Sequence, residues 1–573
     1  MIQAIAAAAF GSLAVAGIIE RRAVEHDLSC VPHRILVNGT RGKSTVTRLI
    51  AAGLRAGGIT TIAKTTGSAA RLILPDGSEQ PIHRKGQATI MEHAWFAHMA
   101  QKARAQAMVA ECMAIRPDTL SVVENALSQS TIGIITNVRL DHEDTMGQNL
   151  ASIAGCLSLT IPWNGKLFVG IPKEPELLAI IRKRATERGA ALETVAPGPE
   201  IEGYCARFAY PMFAENLALA LAACAACGVP REIALQGMLD AAPDPGVWPT
   251  LDLEWKGKTF RIINGFAAND AESTLALWHS AESHFDVAAH QIDVKVLVYN
   301  HREDRPWRLD QVLSLVRPIG ADLVCVIGAP RALTKRRIAK SGLALPFLVL
   351  DSADPEYLFA QIESPKSRPN RYFADGQYQR SWHGADGRIF GDGGKGDDGA
   401  GGKSCCRGVG GKGGQRGEGG KTSCKKGANL MAGTSIIISI VLGFVFSELT
   451  GWLTGGLVVP GYLALYVDQP LRIVMTYAAA ALAFLAVKLL AQVTILFGRR
   501  RFMAFILAGI CAGALLDMMT GMLPPSGSDL RAIGYVVPGL IANDTWKQGP
   551  AKTLLASLAV TLATRAVLLL IAH

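Results

Sequence analysis

Residues 34–45 read Arg-Ile-Leu-Val-Asn-Gly-Thr-Arg-Gly-Lys-Ser-Thr, an apolar, β-rich run that breaks at glycine and resumes as a helix-forming stretch. This pattern constrains the fold more than any other in the chain, because it calls for a strand that turns sharply into the start of a helix. Glycines at 39 and 42 let backbone N–H groups point inward. The helix start presents partial positive charge to an anion, Lys43 adds a full charge, and the Ser44 hydroxyl is a magnesium donor. The loop Gly39, Thr40, Arg41, Gly42, Lys43, Ser44, Thr45 is therefore expected to cradle the phosphates of a nucleotide. It is shorter than the common G-x-x-x-x-G-K-[ST] loop, whose first glycine would fall at Val37.

The 573 residues divide by composition. Residues 1–20 form an uncharged stretch closed by Glu20, followed by Arg21 and Arg22, as expected of an N-terminal membrane anchor with the chain entering the cytoplasm after it. From 21 to 245 apolar strands alternate with helices, with strands expected at Ile35–Val37, Met108–Ala110, Ile132–Thr136 and Leu167–Val169. A second α/β unit is expected over 246–390, with strands near Phe260–Ile263, Val294–Tyr299, Leu323–Ile327 and Phe347–Leu350, and the two units are expected to face each other across a cleft. Residues 391–430 carry Gly, Lys and Asp and almost no large apolar side chain, which reads as a flexible linker. Met431 opens a new segment, as if two formerly separate chains had been joined.

The last segment, 431–573, holds apolar runs near 434–449, 471–498, 502–523 and 552–572, each suited to crossing a bilayer. Two related stretches interrupt them, Gly456-Leu-Val-Val-Pro-Gly461 and Gly534-Tyr-Val-Val-Pro-Gly539, each following a run that ends in Thr-Gly. This is an internal repeat, and paired Pro/Gly-broken segments are a pointer to a substrate route. With Arg499–Arg501 and the linker both placed inside, each repeat is expected to cross an even number of times, with both V-V-P-G elements towards the outer half. The formal charge of +10 resides partly in these membrane-surface elements. The absence of an aromatic–basic face argues against nucleic acid as a partner. The eleven cysteines show no framework, and Cys224-Ala-Ala-Cys227 lies within a helical Ala/Leu pattern, so buried reduced thiols are expected.

Beyond the loop, strand ends deliver Glu111 and the run Asn137-Val-Arg-Leu-Asp141-His142-Glu143-Asp144. A carboxylate at a strand end beside a phosphate loop suits a hard cation that bridges phosphate oxygens, and His142 is a second contact. With Lys64-Thr65-Thr66-Gly67 and Asn216-Leu-Ala-Leu-Ala-Leu-Ala-Ala, these motifs resemble the Mur ligase family and its folylpolyglutamate synthase relatives over about 30–245, and more loosely over 246–388. The resemblance implies a P-loop Mur-ligase-like central domain plus a second Rossmann-like α/β domain, ahead of an α-helical transmembrane domain with an internal V-V-P-G repeat. It also implies ATP and Mg2+, with Lys43 on the phosphates, Glu111 and His142 on the metal with Ser44, and Asn216 at adenine. Departures are Met212-Phe213 where a His-Asn pair is usual, no lysine between 142 and 165 to be carbamylated, and Asn264-Gly-Phe-Ala-Ala-Asn269-Asp270 in place of a Tyr-Ala-His-Asn-Pro-like run.

The Asn264–Asp270 run, the Asn300-His-Arg302-Glu-Asp304-Arg305 run and the uncharged N-terminus are most similar to the ligase subunits of poly-γ-glutamate (capsule) synthases, and the V-V-P-G tail resembles the small membrane subunit of those systems. That resemblance implies ATP-dependent polymerisation of glutamate through an acyl phosphate. The partners implied are glutamate, the growing chain, the bilayer and other subunits of a synthase or export complex, with the ligase domains on the cytoplasmic side of the cell membrane. Arg302 or Asp304 would close over the nucleotide. The competing expectations are a membrane export module driven by ATP without amide formation, a folylpolyglutamate synthase-like ligase, and a non-catalytic nucleotide-sensing scaffold.

Overall fold

The computed structural model describes residues 2–66, 70–84 and 88–244 apart from 173, 209 and 211, segments of 251–376, and then 422–521 and 532–572. Gly67, Asn264, Asn269, Asp270, Arg302, Asp304 and most of the linker lie outside the described residues. Two compact units emerge, Val24–Gly394 and Met1–Ala23 with Lys395–His573.

In the first unit eight strands form one sheet: β1 (His33–Asn38), β2 (Thr61–Lys64), β3 (Arg71–Ile73), β4 (Glu79–Pro81), β5 (Ala107–Glu111), β6 (Ile132–Ile135), β7 (Lys166–Gly170) and β8 (Ala191–Val195). Their order is β4-β3-β2-β5-β1-β6-β7-β8. Parallel pairing runs from β2 to β8, whereas β3 and β4 pair antiparallel at one edge. Their Arg71–Pro81 hairpin was not among the expected strands, being short and polar. The central strands read as continuous apolar runs because helices cover both faces. One of these helices, α2 (Lys43–Ala56), packs Val46, Leu49, Ile50 and Leu54 into the core, together with α3 (Ala214–Ala226) and α4 (Arg231–Leu239). Cys224 Sγ fills the notch left by Gly53 of α2, so the C-x-x-C spacing belongs to packing. All described cysteines are free.

The second α/β portion carries an antiparallel pair, β9 (Leu251–Trp255) with β10 (Lys258–Ile262). A parallel four-stranded sheet follows in the order β13-β12-β11-β14, built from β11 (Val296–His301), β12 (Leu323–Gly328), β13 (Phe347–Val349) and β14 (Phe373–Gly376). Helix α5 (Arg308–Ile319) covers it with Leu309, Val312 and Val316.

The other unit is helical. It comprises α1 (Ile2–Ser29) as far as Ala23, then α6 (Thr422–Thr450), α7 (Val459–Ala464), α8 (Pro470–Val493), α9 (Gly498–Gly521), α10 (Val537–Gln548) and α11 (Pro550–Ala572). Five helices among the described residues are long and apolar enough to cross a membrane: Gln3–Ser29, Gly433–Thr450, Pro470–Val493, Gly498–Thr520 and Pro550–Ile571. The expected spans are therefore present, and the N-terminal helix is longer than the 20-residue anchor.

The repeats differ from expectation in their course. After Thr450 the chain turns and runs back along α6: Thr454 lies beside Gly443, Ser439 Oγ donates to Leu457 O at 3.3 Å, and Ser435 Oγ donates to Gly461 O at 2.8 Å. The first V-V-P-G element thus returns to the end of α6 from which that helix began, and α8 then runs in the same sense as α6. The second repeat does the same. Gly539 packs on Phe505 and Ile506 of α9, and Trp546 lies further back against Phe505 and Arg501. The end of α6 meets the start of α11, with Leu453 N donating to Gln548 Oε1 at 2.8 Å and Lys552 lying over Trp452. The two repeats therefore run in opposite senses. Each consists of helix, broken return and helix, an odd number of passes where an even one was expected. With Arg499–Arg501 placed inside, it is the second V-V-P-G element, against Phe505 and Ile506, that departs from the expected outer half, whereas the first lies at the opposite end. The physical reason is close approach: glycine at 461 and 539 lets the return segment touch the preceding helix, where any Cβ would overlap its backbone. Ser435 and Ser439 supply hydrogen bonds to carbonyls that no water could reach in a bilayer.

Candidate active site

The sheet order reverses at β1, with β5 on one side and β6 on the other, so the segments leaving their carboxyl ends converge. Register places Val37 opposite Glu111 and Asn38 opposite Ile135. The phosphate loop, Glu111 and the Thr136–His142 segment thus arrive at one place.

The loop is clamped by that third segment. Thr40 N donates to Asn137 O at 3.1 Å, Arg41 N donates to Asn137 Oδ1 at 3.0 Å, and Arg41 O accepts from Thr136 Oγ1 at 2.6 Å and Asn137 Nδ2 at 3.1 Å. Arg139 N donates to Thr40 Oγ1 at 3.0 Å. Gly39 (φ 130°) and Gly42 (φ 81°) occupy backbone conformations that suit glycine. A Cβ at Gly39 would overlap Thr136, and one at Gly42 would overlap the amide of Asn216, which heads α3 and is buried. Asn216 therefore sits directly against the loop.

Lys43 Nζ donates to Gly39 O at 2.7 Å and Thr40 O at 3.1 Å. Burial holds its pKa below the usual lysine value, opposed by the charge of Glu111. Ser44 Oγ donates to Glu111 Oε2 at 2.9 Å, and the same oxygen accepts from Thr66 N at 2.7 Å. Hydroxyl and carboxylate point at a common spot beside the helix start, the donor chemistry that a magnesium ion bridging phosphate oxygens requires. Among the described residues no three His, Cys, Asp or Glu side chains converge as a metal-binding group, so a cation here would rest on few protein oxygens, completed by phosphate and water. His142 lies with the Asp141 side of the loop. Its backbone is left-handed (φ 51°), and its Nε2 is 3.6 Å from Asp141 Oδ2. Thr45 follows in the first turn of α2 and is half-buried.

Asp141 and Lys64 lie in motifs the sequence singled out, whereas Arg308, Asp244, Glu92 and Arg84 carry no sequence signal of their own. Asp141 joins Arg41 at 3.1 Å and Arg308, at the start of α5, at 3.7 Å. It thereby ties the loop to the second α/β portion through a described residue, whereas Arg302 and Asp304 are undescribed. Asp244 approaches Arg48 at 3.9 Å, and burial raises its pKa, opposed by the charge of Arg48. Lys64, at the end of β2, is fully buried 3.7 Å from Glu92, which Arg84 holds in a bidentate pair at 2.7 and 3.1 Å. Burial lowers the pKa of Lys64.

A phosphate loop at the switch point of a largely parallel sheet, with a Ser–carboxylate pair beside it, defines a nucleotide-binding α/β domain of Mur-ligase type. The family model for the Mur ligase middle domain matches residues 37–159. Residues 250–378 match the poly-gamma-glutamate synthase CapB C-terminal domain, and 438–554 match Capsule biosynthesis CapC. The chain is 37% identical over 317 residues to PGA synthase CapB of Bacillus subtilis (strain 168), covering 55% of this chain and 79% of that protein. A separate protein of the same organism, PGA biosynthesis protein CapC, is 38% identical over 135 residues, covering 23% of this chain and 91% of its own length. Among solved structures, a folylpolyglutamate synthase from Thermotoga maritima aligns with TM-score 0.41 and 15% identity, over 63% of this chain and 90% of that one. The chain belongs to the CapB ligase family through its first part and to the CapC membrane-protein family through its last.

Proposed function

We propose that this chain is an ATP-dependent amide ligase that extends poly-γ-glutamate at a membrane, with its fused helical domain serving synthesis and export. One observation carries the reading: the loop Gly39–Thr45, the Ser44–Glu111 pair and Asn216 meet at one strand-end site in a chain that joins both families.

A carboxylate is a poor electrophile and needs activation before an amine can displace oxygen from it. In the proposed reaction the terminal carboxylate of the growing chain attacks the γ-phosphorus of ATP and ADP leaves. The amino group of the incoming glutamate then attacks the acyl carbon and phosphate leaves. Lys43 would exchange its two loop carbonyls for β- and γ-phosphate oxygens, the backbone N–H groups at the start of α2 would hold the same anion, and Asn216 would lie at adenine. Ser44 and Glu111, with His142, would hold Mg2+, whose charge would offset that of the transferred phosphoryl group. The division into anchor (1–20), ATP-binding domain (21–245), second ligase domain (246–390), linker (391–430) and membrane domain (431–573) supports placing the ligase on the cytoplasmic face of the cell membrane. Further subunits, glutamate and the polymer are its proposed partners.

The test uses membranes from cells expressing the chain or its Lys43→Ala variant, with ATP, magnesium and labelled glutamate. Labelled γ-linked polymer from the parent and none from the variant is expected. ATP hydrolysis without polymer, in the presence of the partner subunits, would refute ligase activity in favour of an export module.

A further inference from the structure

The two repeats of the helical unit do not pack as consecutive blocks. Each gives its closing helix to the other: α8 packs on α9 and α10, and α11 packs on α6 and α7. Two bodies result, α6–α7–α11 and α9–α10–α8, each a helix, its broken return and a borrowed helix. Because the repeats run in opposite senses, a half-turn about an axis across the helices relates the bodies, the arrangement of an inverted repeat. One contact marks that axis. Tyr477 and Ser557 each stand seven residues beyond the proline that opens their helix, Pro470 in α8 and Pro550 in α11, and their hydroxyls hydrogen-bond to each other. Equivalent residues of a two-fold arrangement meet only where the axis passes between them.

Each body is tightly built, and the seam between them is thin. Inside the bodies, Gly461 and Gly539 bring each return segment against the backbone of the preceding helix, and Ser435 Oγ donates to Gly461 O. Across the seam, Val459 and Leu463 of α7 meet Ala480 of α8 and Val537 and Ile541 of α10. At the Arg499–Arg501 end, the Gln548 side chain takes both backbone groups of Leu453, accepting from the nitrogen at 2.8 Å and donating to the oxygen at 2.5 Å. Gln469, its counterpart just ahead of Pro470, instead accepts from Arg472 of its own helix at 3.3 Å. The repeat-equivalent glutamines are therefore bonded differently, as one of two alternating arrangements requires. Helix α1 seats on the second body, with Phe10, Leu13 and Ala14 beside Ala483, Val487 and Phe505, and Glu20 paired with Arg500 at 2.6 Å.

We propose that the helical unit transports the polymer by rocking its two bodies about the axis between Tyr477 and Ser557, so that the chain passes between those hydroxyls. This rests on the reading of the protein as a poly-γ-glutamate ligase with an exporting membrane domain, and it adds the route and the moving parts. In a bilayer no hydrophobic force holds two apolar bodies together, so a thin seam parts while the glycine-packed contacts inside each body stay intact. Separating Tyr477 from Ser557 leaves two hydroxyls in need of partners. The cargo, an extended polyamide with a carboxylate at every residue, offers an acceptor to each. Helix α1 steadies the second body, so the first is the one that moves, and the Gln548–Leu453 contact closes the Arg499–Arg501 end in this structure.

The experiment uses inside-out vesicles carrying the full chain and partner subunits, supplied with ATP, magnesium and labelled glutamate. It reads the share of labelled polymer that resists an added γ-glutamyl hydrolase before and after detergent. A reducible thiol cross-linker of matching reach joins the bodies in a Tyr477→Cys, Ser557→Cys variant. In a Gly443→Cys, Thr454→Cys variant it joins two sites of one body, where a Cβ at 443 would lie 3.5 Å from Thr454 Oγ1. The parent should make polymer that is protected until detergent is added, with or without the reagent. Cross-linking the first variant should leave synthesis running but lose the protection, reductant should restore it, and the within-body variant should keep it throughout. Should the first variant fail before cross-linking, Leu453→Cys with Gln548→Cys replaces it with the same expectation. Protection that survives cross-linked bodies, or is lost equally in the within-body variant, overturns the inference. No polymer from the parent would instead refute the ligase reading, and parent polymer digested without detergent would refute export.

Discussion

Gly42→Ala isolates what the phosphate loop requires. Gly42 has φ 81°, and a methyl group there would overlap the Asn216 amide, itself only 5% exposed. Holding an L-residue in this left-handed region costs about 1–2 kcal/mol, and forcing a buried neighbour aside adds roughly 1–3 kcal/mol. The sum, about 2–5 kcal/mol, corresponds to roughly thirtyfold to a few thousandfold in nucleotide affinity if it all falls on the loop. The assay is binding of a labelled ATP analogue to parent, Gly42→Ala, Asn216→Ala and the double variant. Because the clash disappears when Asn216 is truncated, the double variant should lose less than the sum of the two singles, by about 1–3 kcal/mol. Additive losses would refute the steric argument, and parent-like affinity for Gly42→Ala would refute the placement of the phosphates at this loop.

Ser44→Ala removes one of the two oxygens aimed at the proposed cation, so the magnesium concentration for half-maximal polymer synthesis should rise about tenfold or more, read as a titration at saturating ATP. Glu92→Gln leaves buried Lys64 without its carboxylate and should destabilise the ligase unit by about 3–5 kcal/mol, and Lys64→Met in the same background should recover most of that in a melting series. Glu124 is buried and accepts from Ser130 N at 3.0 Å and Oγ at 2.8 Å, yet burial pushes its pKa up to about 7. An unfolded carboxylate titrates near 4.5, so the folded state binds more protons between these values and stability falls as pH rises from about 4.5 to 7, by on the order of 3 kcal/mol. Glu124→Gln should flatten that slope, and an unchanged slope would show that another group carries it.

Local chemistry made much of this protein legible in one dimension. Gly39-Thr40-Arg41-Gly42-Lys43-Ser44 declares its turn and its helix start because glycine, lysine and serine have few reasons to occur in that order. The strands delivering Glu111 and Asn137 are readable as short apolar runs, and the spans as long ones. The β3–β4 hairpin escaped because its strands are short, polar and at an edge, where pairing partners rather than periodicity decide the conformation. Asp244, Arg308 and Thr66 N join the site through contacts with residues far away in the sequence, and no spacing rule encodes such contacts.

The sequence by itself determined the phosphate loop, the alternation of strand and helix, the polar break at 391–430 and the number of long apolar helices, because each depends on side-chain type over a few consecutive residues. Only the tertiary structure decided the strand order that brings Ser44 to Glu111 and Asn216 to Gly42. It alone also decided the sense of each pass through the helical unit. Hydropathy records that a segment is apolar but not its direction. Direction is fixed by which surfaces fit, and here Gly461 on Ser435 and Ser439, and Gly539 on Phe505 and Ile506, turn each V-V-P-G segment back along the helix before it.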